Sequence, residues 1–317
     1  MKLTRAETAR WLSERNDFCI LTHRRPDGDT LGTAALLCLG LRSLGKQAYI
    51  LENPEITEKY RPLHEGLTQT EANDCDTVVC VDVASQSMLP QEFSQFAIAL
   101  RIDHHGSASS FTEHELVDPA AGACGEIVYD VLMEMGVALD KPMATALYTA
   151  VSTDTGRFCY ANTTAHSFRT AAACAETGAD LHSLNQMLFE TNSYAKLRLH
   201  GWMAENTRLV AGGAVAVCAL PLAVEQKLGV TEDDMENISG FPRSIAGVQM
   251  AATLRQTQDG KVKISVRSLP AYDAAKVCEA FGGGGHRGAA GCTMNLPLEE
   301  AAAAVEKEML RQLGESL

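Results

Sequence analysis

The sequence predicts an α/β protein: a doubly wound, mainly parallel sheet, joined by a helical linker to a second, smaller α/β domain. Three observations carry that expectation. From residue 17 onward, short β-branched runs alternate with segments of helical periodicity, as parallel strands alternate with crossover helices. Several runs end abruptly in acidic residues or histidine, at the strand ends where such sheets bind ligands. After about residue 206 the composition becomes strand-rich again.

In chain order, DFCILTH (17–23) reads as a buried strand, followed by a helix over TLGTAALLCLGLRSLG (30–45). QAYILE, TVVCVDV (77–83) and AIALRIDHH (97–105) are further strands. From about 124 to 206 the pattern is helical, and the helix near 190–206 is a polar connector. GGAVAVCALP, SIAGVQMAATLRQTQ and GKVKISVRSL are strand-like, the last two flanking the turn signal QDG. A helix at 272–281, a glycine-rich loop and a helix at 297–313 complete the chain. The expected boundaries are a first domain over 1–188, a linker over 189–206 and a second domain over 207–317.

The 317 residues suit two domains, and 46% hydrophobic with 21% charged residues is an ordinary globular balance. The net charge of -13, from 40 acidic and 27 basic residues, repels a long polyanion and so disfavours long nucleic acid. A short anionic substrate stays compatible where positive charge is local. The ten cysteines form no C-x-x-C pair and sit mostly in apolar runs, as free thiols of a reducing compartment do. The charged N-terminus has no signal-peptide character, and no stretch approaches the ~20 apolar residues of a membrane span. A cytoplasmic protein without membrane contact is expected.

Four segments place acidic residues and histidine at the ends of apolar runs. THRRPDGDTLG contributes His23, Asp27 and Asp29; VCVDVAS contributes Asp82; RIDHHGS contributes Asp103, His104 and His105; VSTDTGRF contributes Asp154. Any one aspartate could be a helix cap, and any one histidine a satisfied polar residue. Together, carboxylates and imidazoles at the ends of one sheet repel unless cations neutralise them, and this mixed donor set suits Mn2+ and related ions. There are enough ligands for two ions.

The order H-x-x-x-D-x-D, D, D-H-H, D resembles the DHH phosphoesterases, which include RecJ-type exonucleases and family II pyrophosphatases. FGGGGHRGAAG (281–291) is similar to the nucleotide-contacting segment of DHHA1-type C-terminal domains. Within the family, the pattern is most like the short-chain nano-RNases with pAp phosphatase activity (NrnA-like), a subgroup that also contains dinucleotide phosphodiesterases. The resemblance implies that His23, Asp27 and Asp82 hold one ion and that Asp29, Asp82, His104 and Asp154 hold the second. Asp103 would orient a ligating imidazole, and His105 would face the substrate phosphate. It further implies two divalent ions, Mn2+ first and Mg2+ or Co2+ as alternatives, a homodimer, and a small nucleotide substrate: pAp, a dinucleotide or very short RNA.

In the second domain, the glycines at 282–285, among them Gly284 and Gly285, would let backbone amides approach an anion. Arg267 and His286 match the family's phosphate contacts. Arg287, Arg243, Arg157 and Asn162 are further candidates; the last two follow Asp154 and could touch substrate or cap a helix. His64, His114, His166, His182 and His200 have no ligand spacing and receive no role. Three rivals remain. The GGGGHRG loop argues against a family II pyrophosphatase, and the lack of an aromatic, basic groove argues against a RecJ-like exonuclease. The complete ligand set argues against a non-catalytic nucleotide-binding regulator.

Overall fold

The computed structural model describes residues 1–73, 77–106 and 110–314. The chain divides into two compact units, Met1–Thr191 and Asn192–Leu317.

The first unit opens with helix α1 (Arg5–Ser13), started by a reciprocal cap between Thr4 and Glu7. Strand β1 (Asp17–Leu21) leads into helix α2 (Gly28–Ser43), whose N-cap is Asp27. Strands β2 (Gln47–Leu51), β3 (Thr68–Gln69), β4 (Thr77–Val81), β5 (Leu100–Asp103) and β6 (His114–Val117) follow. Helices α3 (Cys124–Glu134), α4 (Lys141–Asp154), α5 (Ala165–Glu176) and α6 (Leu181–Asn185) close the unit. All pairings are parallel, in the order β3-β2-β1-β4-β5-β6. The order reverses direction between β1 and β4, which is where open parallel sheets form their ligand crevice.

Alternation along β1 builds two cores. Phe18 and Ile20 face the helical layer with Leu12, Leu36, Ile127 and Leu147. Cys19 and Leu21 face the other side, where Val83, Leu89, Phe93 and Ile98 from the β4–β5 connection cover the sheet. That connection carries two 3-10 turns, Gln86–Met88 and Gln91–Phe93. Helices α2 and α4 touch backbone to backbone: a Cβ on Gly32 would lie 2.4 Å from the Ala146 carbonyl oxygen. The Asp29 end of α2 is thereby held against the last turn of α4.

The second unit begins with α7 (Tyr194–Asn206), which buries Leu199 and Met203 against Cys218, Leu220 and Ile238. Strands β7 (Arg208–Val210) and β8 (Val215–Leu220), helix α8 (Leu222–Leu228), strands β9 (Met250–Gln256) and β10 (Val262–Ser268), and helix α9 (Ala274–Glu279) follow. Strands β11 (Gly284–His286) and β12 (Ala289–Met294) and helix α10 (Leu298–Gly314) end the unit. The sheet order is β11-β12-β10-β9-β8-β7, antiparallel except for β8 against β9. Val262, Ile264, Val266, Ala290 and Cys292 face a core closed by α9 and α10.

The glycine run departs from the expected loop: Gly284 and Gly285 belong to β11 and pair with β12. A Cβ on Gly283 would lie 2.3 Å from the Gly291 carbonyl oxygen, and one on Gly285, at φ +146°, 2.6 Å from Ala290 Cα. At these two positions close strand approach, rather than flexibility, requires glycine.

Of the cysteines among the described residues, Cys159 is exposed and the others are buried, all as free thiols; Cys75 lies outside the described residues. No helix is long and apolar enough to cross a membrane among the described residues.

Candidate metal centre

Strand register assembles the centre. Leu21 of β1 pairs with Cys80 of β4, so the next residues on the same face, His23 and Asp82, leave the sheet side by side at the reversal point. Asp82 takes a left-handed backbone at φ +58°, a conformation that costs a non-glycine residue about 1–2 kcal/mol and concentrates at functional sites. Asp29 enters from the first turn of α2, Asp154 is the last residue of α4, and Asp103, His104 and His105 leave the end of β5.

These side chains converge. His23 Nε2 lies 3.6 Å from Asp27 Oδ1 and 3.6 Å from Asp82 Oδ2. His104 Nε2 lies 3.7 Å from Asp29 Oδ2, 3.5 Å from Asp82 Oδ1 and 3.7 Å from Asp154 Oδ2. His105 Nδ1 lies 3.5 Å from Asp82 Oδ1 and 2.7 Å from Asp103 Oδ1. Three groups have donor atoms mutually close enough to share a metal ion: His23, Asp27 and Asp82; Asp29, His104 and Asp154; and Asp82, His104 and His105.

Neighbouring groups fix each donor. His23 Nδ1 pairs with the Arg24 carbonyl at 2.9 Å, and His104 Nδ1 with the Ala121 carbonyl at 3.3 Å. With Nδ1–H donating there, each ring turns its Nε2 toward the carboxylates, the nitrogen that would ligate a metal in the neutral form. Asp29, 1% exposed, accepts from Thr33 Oγ1 and from the Cys124 and Gly125 amides at the start of α3, a favourable place for an anion. Asn162 donates to Asp154 Oδ2 at 3.1 Å. Buried Asn53 donates to the His23 carbonyl at 2.8 Å. Asp103, fully buried, accepts from the backbone amides of His104 and His105 and pairs with His105 Nδ1.

The electrostatics call for cations. Burial pushes the Asp29 and Asp82 carboxyls up, and the neighbouring carboxylates Asp82 and Asp27, respectively, add to it. Burial drives Asp154 up to about 7 despite the opposing pull of His104. Burial alone would lower the imidazoles, yet Asp27 and Asp82 hold His23 well above its ordinary value, and Asp29, Asp82 and Asp154 raise His104 to about 9. These shifts favour the protonated forms wherever no cation stands beside the groups. Asp82 Oδ1 is buried and accepts no hydrogen bond, an expensive state for a carboxylate oxygen. The mixed imidazole–carboxylate donors fit divalent ions such as Mn2+, and those ions would replace the protons.

The other candidates fall in two places. In the first unit, Asn162 reaches Asp154, whereas Arg157 is exposed with its guanidinium 5.4 Å from the Phe189 ring centre. In the second unit, Arg267 of β10 is opposite Ala289 of β12, itself opposite His286 of β11, so Arg267 and His286 share one face two strands apart. Gly284 and Gly285 precede His286 on the same strand; Arg287 follows it and donates from Nε to the Tyr272 carbonyl at 3.3 Å. Arg243 lies in the turn Pro242–Ser244, outside that row. Sequence reasoning missed Thr33, Asn53 and the backbone of 121–125. Thr33 lies just past the first motif and Asn53 just past β2, neither with motif character, and backbone groups carry no residue signal.

The DHH family, N-terminal domain, matches residues 17–151, and the DHHA1 domain matches residues 212–314. A bifunctional oligoribonuclease and PAP phosphatase NrnA of Thermus thermophilus is 33% identical over 289 residues, covering 89% of this chain and 86% of its own. The protein of the same name from Bacillus subtilis is 25% identical, covering 92% and 93%. The crystal structure of an exopolyphosphatase-related protein from Bacteroides fragilis superposes with a TM-score of 0.83 at 23% identity, covering 97% of this chain and 95% of that one, a likeness of fold.

Proposed function

Because the chain belongs to the DHH phosphoesterase family, with a DHHA1 domain, and is therefore a hydrolytic enzyme acting on phosphoesters, we propose that it degrades very short oligoribonucleotides and removes the 3'-phosphate of pAp. The observation that carries the chemistry is the convergence of Asp29, Asp82 and Asp154 on His104 Nε2, with a buried Asp82 oxygen that accepts no hydrogen bond. The substrate comes from the Thermus and Bacillus relatives, whose names state both activities. The net charge of -13 agrees with a short substrate.

In this reading His23, Asp27 and Asp82 hold one divalent ion, and Asp29, Asp82, His104 and Asp154 hold the other. Mn2+ is the preferred occupant. Two such ions supply Lewis-acid polarisation of the phosphoryl group and a lowered pKa for bound water. Asp103 holds the His105 ring through Nδ1, so that His105 can stabilise charge on a phosphoryl oxygen. Arg267 and His286 grip a phosphate from the face that they share. The enzyme works as a homodimer in the cytoplasm; the free thiols among the described residues agree with a reducing compartment.

The test is product release with Mn2+ from pAp, pyrophosphate, a linear dinucleotide and RNA of graded length. Release from pAp and the shortest RNAs is expected; release from pyrophosphate alone, or equally from long RNA, would overturn the reading. Arg267→Ala should raise KM for pAp about ten- to a hundredfold with a smaller change in kcat, since a charge-assisted phosphate contact is worth about 1.5–3 kcal/mol. Steady-state kinetics beside Arg267→Lys, which keeps the charge and loses the fork, measures the geometric share.

A further inference from the structure

Segment 121–125, which runs from the β6–α3 connection into the first turn of α3, serves three candidate ligands that arrive from three different elements. The Ala121 carbonyl pairs with His104 Nδ1 at 3.3 Å. The Gly122 carbonyl accepts from Asn162 Nδ2 at 2.8 Å, and the same amide nitrogen donates to Asp154 Oδ2 at 3.1 Å. The Cys124 and Gly125 amides donate to Asp29 at 2.7 and 3.1 Å.

One side chain ties the segment down. Glu126 is fully buried, and its Oε2 accepts the Gly122 N–H at 3.0 Å. Its Oε1 is buried without a hydrogen-bond partner. A buried carboxylate near a cluster already rich in carboxylates is unfavourable, and an apolar residue could fill the volume without that cost. What an apolar residue could not do is accept the Gly122 amide. The Ala123 N-cap has no side-chain cap bond of its own; Glu126, at N3 of α3, reaches back one residue further, to Gly122. Gly122 is closely surrounded as well: a Cβ there would lie 2.7 Å from Ser167 Oγ, 3.0 Å from the Asn162 carbonyl oxygen and 3.1 Å from Glu126 Oε1.

We infer that Glu126 is a positioning residue for one of the two metal sites: its buried carboxylate latches segment 121–125 and so fixes the His104 ring and the Asp29 and Asp154 carboxylates. The inference rests on the metal reading above. The other group is held from elsewhere, His23 by the Arg24 carbonyl and by Asn53, so the latch acts on one site only.

Co2+ titration of the full chain, followed by calorimetry and by visible absorption, tests it. Wild type should bind in two steps. Glu126→Ala should weaken one step about ten- to a hundredfold, as loss of a group that orients a ligand does, and leave the other near wild type. Glu126→Gln, whose amide oxygen can still accept the Gly122 N–H, should restore that step. Asn162→Ala, which cuts only the Asp154 branch on a partly exposed side chain, should weaken the same step and keeps the inference testable if Glu126→Ala does not fold. Both steps unchanged in Glu126→Ala or in Asn162→Ala would overturn the latch, as would equal weakening of both steps. Failure of Glu126→Gln to restore the step would do the same. A wild type that takes up no Co2+ overturns the metal reading and the latch with it, whereas two intact wild-type steps with unaltered variants overturn the latch alone.

Discussion

Asp82→Asn is expected to lower turnover of pAp at least about a thousandfold, because in the proposed two-ion centre its carboxylate would support both ions at once. Asp82 is within 3.6 Å of His23 Nε2 and within 3.5 Å of both His104 Nε2 and His105 Nδ1, a position no other carboxylate of the centre shares. The amide keeps the shape but gives up the charge and one acceptor oxygen. The same change should leave the metal-free fold intact or firmer. The folded environment raises the Asp82 pKa, burial first, and therefore favours a neutral group at this position. Thermal unfolding in chelator should show the variant at or above the wild-type Tm, at about 2–4 °C for each kcal/mol gained in a unit of this size. With Mn2+ the order should reverse, since the wild type alone gains full binding energy from the ions. Turnover that survives in the variant would remove Asp82 from the chemistry.

The second large effect is on stability against pH. Asp154 has its pKa raised to about 7, so the folded chain binds its proton more tightly than the unfolded chain does. That contribution is complete below the ordinary carboxylate range and is lost as pH rises through about 7. His104, raised to about 9, contributes stability that is complete below the ordinary imidazole range and is lost as pH rises through about 9. The two signs agree. Metal-free protein should therefore be markedly more stable at pH 5 than at pH 8. Mn2+ competes with these protons, so its stabilisation should grow across the same interval, reaching about 2.7 kcal/mol at a hundredfold excess over Kd. Denaturant melts at the two pH values, with chelator and with Mn2+, measure both trends. A metal-free chain that gains stability on going from pH 5 to pH 8 would contradict the assigned electrostatics.

Much of the centre was legible because it is built from strand ends. An apolar run stopped by aspartate or histidine marks both the end of a strand and a polar group at the crevice, and His23, Asp82 and Asp103 to His105 each carry that mark. Asp29 and Asp154 sit at helix ends, where an aspartate alone reads equally well as a cap, so only their company with the other segments marks them. The structure supplies the physical link: α2 and α4 meet at Gly32, and the amides of α3 reach Asp29. The holding groups were illegible for a simple reason. Ala121 and Gly122 act through carbonyls, and Cys124 and Gly125 through amides, so their side chains say nothing of the role. The run at 282–285 reads as a loop in the sequence because glycine has no side chain to show an alternating pattern. Its strand character depends on contacts with Ala290 and Gly291 that local sequence does not encode.

Release of phosphate from pAp is expected to depend on a bound divalent metal. The direct test is to assay the purified chain as isolated, after exhaustive chelation, and after Mn2+ is restored. Loss of release on chelation and its recovery with Mn2+ is the predicted result. Release that persists in excess chelator, or that no divalent ion restores, would contradict it.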